Sequence, residues 1–220
     1  MLCNKTNYSA NRVEKIKYIV IHYTANNGDT AKGNAEYFSR SANLGASAHY
    51  FVDENEVWQS VPDTDTAWHC GAKTYRHNEC RNSNSIGIEI CSRKDSNGKY
   101  YLKADAVTKS ILLTRELMTK YNIDANHVLR HYDVTGKTCP LPMVEDPGQW
   151  ANFKKRLEVN SMAKDGNVPD PWAKEYVDWC RKEGLMVGDD KGNLNLHDTL
   201  TRQQMCVFMK KLHDKIVTGR

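Results

Sequence analysis

A chain of 220 residues, 26% charged and 40% apolar, has material for one ordinary domain and a small second one, which excludes both a disordered polymer and a peptide that needs covalent staples. The net charge of +4 comes without a dense Lys/Arg stripe, which argues against nucleic acid and favours at most an anionic polymer such as a cell wall. No run approaches a membrane span, and Met1-Leu2-Cys3-Asn4-Lys5-Thr6-Asn7 lacks the apolar core of a signal peptide, so the expectation is synthesis and folding in a cytoplasm with no membrane partner.

In chain order, Lys17 to Tyr23 is a continuous apolar, β-branched run that predicts a buried strand ending at His22. Thr30 to Ala42 carries Ala35, Phe38 and Ala42 at helical spacing, with Thr30 as cap. Ala46 to Ser60 reads as two strands joined at Asp53-Glu54-Asn55, and Asn84 to Cys91 as a further strand, apolar except for Ser85 and Glu89. Ala104 to Tyr121 predicts the longest helix, with Val107, Ile111, Leu112, Leu117 and Met118 as its apolar stripe. Val128-Leu129-Arg130 is a short strand feeding a loop that begins at His131, and Asp146-Pro147 opens another helix. Interspersed strands and helices predict an α/β domain over 1–158 with a mixed central sheet flanked by helices.

Residues 159–169, polar and containing Gly166 and Pro169, read as a linker, and 170–220 as a small all-α module. Its first helix runs from Pro171 to a Gly184 cap, a turn spans Gly188 to Asn193, and Thr201 to Ile216 forms the second arm of a helical hairpin. The seven cysteines are odd in number and irregularly spaced, so most are expected to be free thiols. Cys70 and Cys80 bracket a polar loop and could pair in an oxidising space.

The segment His131-Tyr132-Asp133-Val134-Thr135-Gly136-Lys137-Thr138-Cys139-Pro140 sets an imidazole, an ammonium and a thiol within ten residues. Imidazole and thiolate are donors that zinc prefers, and Lys137 is expected to lower the thiol pKa of Cys139. A lone histidine at a strand end is ordinarily a packed residue. His22 and His131 both follow strands, however, where a sheet would bring them to one edge, and Pro140 stiffens the chain behind Cys139. Two histidines and one thiolate leave a fourth zinc position open, as in catalytic sites. Amide hydrolysis also needs a proton acceptor that later protonates the leaving nitrogen. Glu89 in an apolar strand is the candidate, although on pattern alone it could equally face solvent on an alternating face. Lys137 reads either as a solvated loop lysine or as the cation that stabilises an oxyanion opposite the metal.

His22-Tyr23-Thr24-Ala25, Ala46-Ser47-Ala48-His49-Tyr50-Phe51-Val52, Ala67-Trp68-His69-Cys70-Gly71, Asn84-Ser85-Ile86-Gly87-Ile88-Glu89-Ile90 and the His131 to Pro140 segment resemble, in order, the motifs of zinc-dependent N-acetylmuramoyl-L-alanine amidases. The likeness covers roughly residues 10 to 158 and is strongest to phage and prophage endolysins of Gram-positive hosts. It implies the mixed-sheet fold shared with peptidoglycan recognition proteins, with His22, His131 and Cys139 on Zn²⁺, Glu89 as general base and Lys137 as oxyanion partner. His69 and Trp68 would line the substrate cleft, Trp68 either stacking on sugar or peptide or packing in the core, while His49 would be a packed structural residue.

Asp170 to Trp179, Gly184 to Gly188 and Leu200 to Met205 are similar to one S-layer homology repeat, which implies binding of an anionic secondary cell-wall polymer through Trp172 and Arg202. Gln203-Gln204 stands where the repeat usually has Ala-Glu, and only one repeat is present, so a hairpin for homo-oligomerisation or domain packing is the other reading. The function implied is hydrolysis of the bond between N-acetylmuramic acid and the L-alanine of the stem peptide, acting on the Gram-positive wall after release at lysis. The rivals are an intracellular muropeptide-recycling amidase, which would need no wall anchor, and a non-catalytic peptidoglycan-binding protein, which would be expected to lack a ligand such as Cys139.

Overall fold

The computed structural model describes residues 2–158, 167–169, 173–196 and 202–218. By internal contacts the chain separates into a unit of Met1–Val159 and a unit of Asn160–Arg220. The first unit contains strands β1 (Tyr8–Ser9), β2 (Tyr18–Tyr23), β3 (Tyr50–Val52), β4 (Val57–Gln59), β5 (Thr66–Ala67), β6 (Ser85–Ile90), β7 (Ser92–Lys94), β8 (Tyr100–Leu102) and β9 (Val128–Arg130). Its helices are α1 (Ala31–Arg40), α2 (Ala104–Tyr121), α3 (His131–Thr135), α4 (Leu141–Glu145) and α5 (Pro147–Glu158). The five-stranded sheet has the order β4-β3-β6-β2-β9, with β3 and β4 antiparallel and the other neighbours parallel. β1 pairs with β5, and β7 with β8, in two small antiparallel ribbons.

Alternation divides the sheet into two faces. Ile19 and Ile21 of β2, Tyr50 and Val52 of β3, Ile86, Ile88 and Ile90 of β6 and Val128 of β9 face one side, where Ile111 and Leu117 of α2 and Phe153 and Leu157 of α5 close the main core. The opposite face is covered in two patches. α1 brings Ala31 and Ala35 onto Phe51, while Cys70, Cys80 and Val134 pack on Tyr18 and Val20. Between those patches the sheet is left open, and that gap is the site.

Local signals explain most boundaries. The Thr30 side chain accepts from the Gly33 amide and starts α1, and the Asp53 carboxylate accepts from Asn55 and Glu56 in the β3–β4 turn while also taking the Ala31 amide. α2 spans the expected residues and ends on Asn122 in the left-handed conformation. Its buried stripe differs from the expected one: Leu113 is buried, whereas Leu112 is 56% exposed. Spacing allowed either leucine, and docking on β6 and α5 selects the face. His131 also departs from expectation, since it opens the short helix α3 rather than a loop. The Asp133 carboxylate accepts from the Arg130 amide and closes that first turn.

Asp63 ties the far end of β3 to α2 through Tyr50, Lys120 and Tyr121. Burial alone would raise its pKa, but hydrogen bonds from Tyr121, Lys120 and Tyr50 hold it below the ordinary carboxylate value. The stabilisation that goes with a depressed folded pKa is fully present above the unfolded pKa and is lost as pH falls through the folded one. Asp63→Asn is therefore expected to cost about 1–3 kcal/mol at neutral pH, with the difference from wild type shrinking below about pH 4 in urea titrations. A difference that did not change with pH would place the effect in packing instead.

In the second unit, α6 (Lys174–Lys182) and α7 (Arg202–Thr218) flank a turn in which the Asp189 carboxylate accepts from the Lys191 and Asn193 amides. Gly184 has the left-handed φ of +68° expected of a residue ending a helix. Trp172 and most of the predicted linker lie outside the described residues, as does the side chain of Arg202. No helix among the described residues is long and apolar enough to cross a membrane.

Candidate active site

Parallel pairing places His22 of β2 opposite Glu89 of β6, and Glu89 opposite Phe51 of β3. Registered residues on neighbouring strands share a face, so these three side chains form a row on the open side of the sheet. β9, adjoining β2, delivers His131 at the first residue of α3, and the chain returns through Lys137 to Cys139. The Cys139 carbonyl accepts from the Tyr132 amide, which holds the returning segment against α3.

The ligand atoms of His22, His131 and Cys139 all lie within 4.8 Å of one another. Cys139 Sγ is 3.7 Å from His22 Nδ1, near the roughly 3.3–3.6 Å that tetrahedral bonds from zinc to nitrogen and sulfur impose between donors. His131 Nδ1 is enclosed and has no hydrogen-bond partner, the condition of a buried donor that an ion would satisfy. Burial, with Lys137 and neighbouring histidines adding, lowers the pKa of His131 to about 4 and that of His22 well below its ordinary value, so both imidazoles are neutral and offer lone pairs. The donor set therefore fits a zinc ion.

Cys139 departs from expectation. Burial, reinforced by the Glu89 carboxylate, pushes its thiol up to about 12, and the opposing pull of Lys137 is too weak to reverse this. The thiolate thus depends on a cation at the site rather than on Lys137 alone.

Glu89 Oε1 is 4.0 Å from His22 Nδ1, and the side chain keeps 22% exposure into the cleft. Its Oε2 is enclosed and without a partner. Desolvation raises its pKa to about 8, with Lys137 pulling the other way. All seven residues singled out in this unit (His22, Trp68, His69, Glu89, His131, Lys137 and Cys139) line one cleft of about 560 Å³. An adjoining lobe of about 630 Å³ shares Trp68, His69, His131 and Lys137 and extends along Lys73 and Thr74. Trp68 sits on the shared rim, its Nε1–H donating to Ser9 Oγ at 3.0 Å. Cys70 and Cys80 are buried free thiols.

The sequence profile of the N-acetylmuramoyl-L-alanine amidase family matches residues 12–142, which include both histidines, Glu89, Lys137 and Cys139. The chain belongs to that amidase family. Residues 166–206 match the S-layer homology domain. The amidase CwlL of Bacillus licheniformis is 34% identical over 155 residues, covering 65% of this chain and 41% of that protein. The amidase BlyA of Bacillus subtilis strain 168 is 32% identical over 181 residues, covering 76% and 48%. The chain thus spans less than half the length of these relatives. The solved catalytic domain of XlyA, an amidase of Bacillus subtilis strain 168, aligns with a TM-score of 0.58 at 30% identity, covering 70% of this chain and 93% of that one.

Several parts of this amidase cleft escaped the motif reading. Phe51 supplies floor beside Glu89, which strand alternation in β3 would have located once the register was known. Tyr37 and Phe38 of α1 form a wall that no local pattern assigns to the site. His49, by contrast, is the packed residue its motif implies: it is fully buried, and its Nδ1 accepts from the Gly87 amide at 2.9 Å.

Proposed function

We propose that the first unit is a zinc-dependent peptidoglycan hydrolase that cleaves the amide between the lactyl group of N-acetylmuramic acid and L-alanine of the stem peptide. The observation that carries the reading is the convergence of His22, His131 and Cys139 beside Glu89 in one cleft, in a chain of the amidase family. When bound, a zinc ion supplies Lewis acidity to a water and to the scissile carbonyl. His22, His131 and Cys139 would hold it. Glu89 takes a proton from the attacking water and returns it to the departing alanine nitrogen, a role suited to an enclosed carboxylate with one face on the cleft. Lys137, exposed on the cleft wall, brings its ammonium to the developing oxyanion. The S-layer homology unit directs the enzyme to an anionic polymer of a Gram-positive wall, with Trp172 and Arg202 as its contacts.

Stem-peptide release should vanish with chelator and return with zinc on purified cell walls. No zinc-dependent release from walls or fragments would sink the enzyme reading, and turnover on soluble muropeptides alone would favour a recycling amidase. Lys137→Ala is expected to retain zinc while losing about 10²–10³-fold in kcat, the usual cost of removing one oxyanion donor. Full activity in that variant would make the position of the lysine incidental.

A further inference from the structure

The two ring nitrogens of His22 face different partners. Nδ1 looks onto Cys139 Sγ at 3.7 Å, while Nε2 lies 3.1 Å from Nδ1 of His69. Beyond it, His69 Nε2 is 3.1 Å from Ser85 Oγ, and Ser85 Oγ is 2.6 Å from the carbonyl oxygen of Arg81. His22, His69 and Ser85 are all buried.

The end of this row decides its direction. A carbonyl oxygen can only accept, so the Ser85 hydroxyl donates to Arg81. Ser85 Oγ is then free to accept from His69 Nε2–H, which leaves His69 Nδ1 bare. That nitrogen accepts from His22 Nε2–H, and His22 Nδ1 remains a lone pair aimed at the donor cluster. We propose that the Ser85–His69 relay, anchored on the Arg81 carbonyl, holds His22 in the Nε2–H tautomer and so presents Nδ1 to the metal. Ser85 and His69 are then positioning residues. The inference rests on the reading of His22, His131 and Cys139 as a metal site, and it gives His69 a task beyond lining the cleft.

Two features fix the relay in place. Asn82 Oδ1 accepts from the backbone amides of His69 and Cys70, at 3.1 and 2.8 Å. Gly87 opens the space for the imidazole, because a Cβ there would fall 2.5 Å from His69 Cγ and 2.8 Å from Nδ1. The glycine in Ile86-Gly87-Ile88-Glu89 is thus required by close approach of the ring to β6. A ligating histidine ordinarily gives its second N–H to a carboxylate, a carbonyl or water. Here a second histidine takes it, and the row beyond sets which nitrogen that histidine leaves bare.

The test uses the full chain with ¹⁵N-labelled histidine and two readouts. In metal-free protein, NMR should find His22 protonated at Nε2 in wild type and released from that single tautomer in His69→Phe. Competition with a chromophoric chelator should find zinc bound about 10–100-fold more weakly in His69→Phe and Ser85→Ala. His69→Gln, which keeps one acceptor and one donor, should recover most of the affinity, and Gly87→Ala should weaken binding by displacing the ring. If His69→Phe fails to fold, Ser85→Ala decides the question, since it removes only a hydroxyl. Wild type that binds zinc, with both variants equal to it in affinity and in His22 tautomer, overturns the relay. Wild type that binds no zinc overturns the metal reading instead, while the tautomer measurement, made without metal, still reports on the row itself.

Discussion

Glu89→Gln is expected to lower kcat on peptidoglycan by about 10²–10⁴-fold, the usual contribution of a positioned acid–base group, while zinc content stays at the wild-type level. Glutamine keeps the shape of the side chain and its place opposite His22 and Phe51 but cannot accept the proton from water or deliver it to the leaving nitrogen. The loss corresponds to roughly 3–5 kcal/mol of transition-state stabilisation. Three assays separate the possibilities: peptide release from walls, metal analysis, and chemical denaturation to confirm the fold. Activity above about a tenth of wild type would require another base. Zinc loss from the variant would move Glu89 from proton transfer into the holding of the metal site.

The second large effect concerns the scaffold. Phe153 of α5 is 1% exposed, stacks on Trp150 with ring centroids 5.4 Å apart, and belongs to the core beneath the sheet that carries the site on its other face. Phe153→Ala should cost about 3–5 kcal/mol, because it removes transfer free energy and leaves a cavity that the isoleucines of β2 and β6 cannot fill. Leu112→Ala on α2 is the matched control. Its side chain is 56% exposed, so about 0.5 kcal/mol or less is expected. Urea titration followed by near-ultraviolet circular dichroism compares the two midpoints. Similar midpoints would mean that α5 contributes little to the sheet it covers.

Strands β2 and β6 were legible because a parallel strand covered on one face by helices and on the other by packed loops must be apolar almost throughout. Against that background His22 and Glu89 stood out as polar residues in expensive places. α2 was legible end to end because eighteen residues give the helical period room to repeat. β1, β5, β7 and β8 have two or three residues each, too few for any period, and they exist because a partner strand supplies their hydrogen bonds. The choice between Leu112 and Leu113 had the same character: both fit the spacing, and packing decided.

The order of residues by itself determined the chemistry available to this protein: two imidazoles, one thiol, one ammonium and one carboxylate in recognisable motifs, on a chain able to fold as a mixed sheet with a helical appendage. Tertiary structure alone decided how those groups act on one another. Register between strands far apart in the chain set Glu89 beside His22, burial raised the Cys139 thiol against the pull of Lys137, and a glycine on β6 admitted the His69 ring to the back of His22. Each of these depends on distance and dielectric between sequence-distant groups, which have no value until the chain has closed around them.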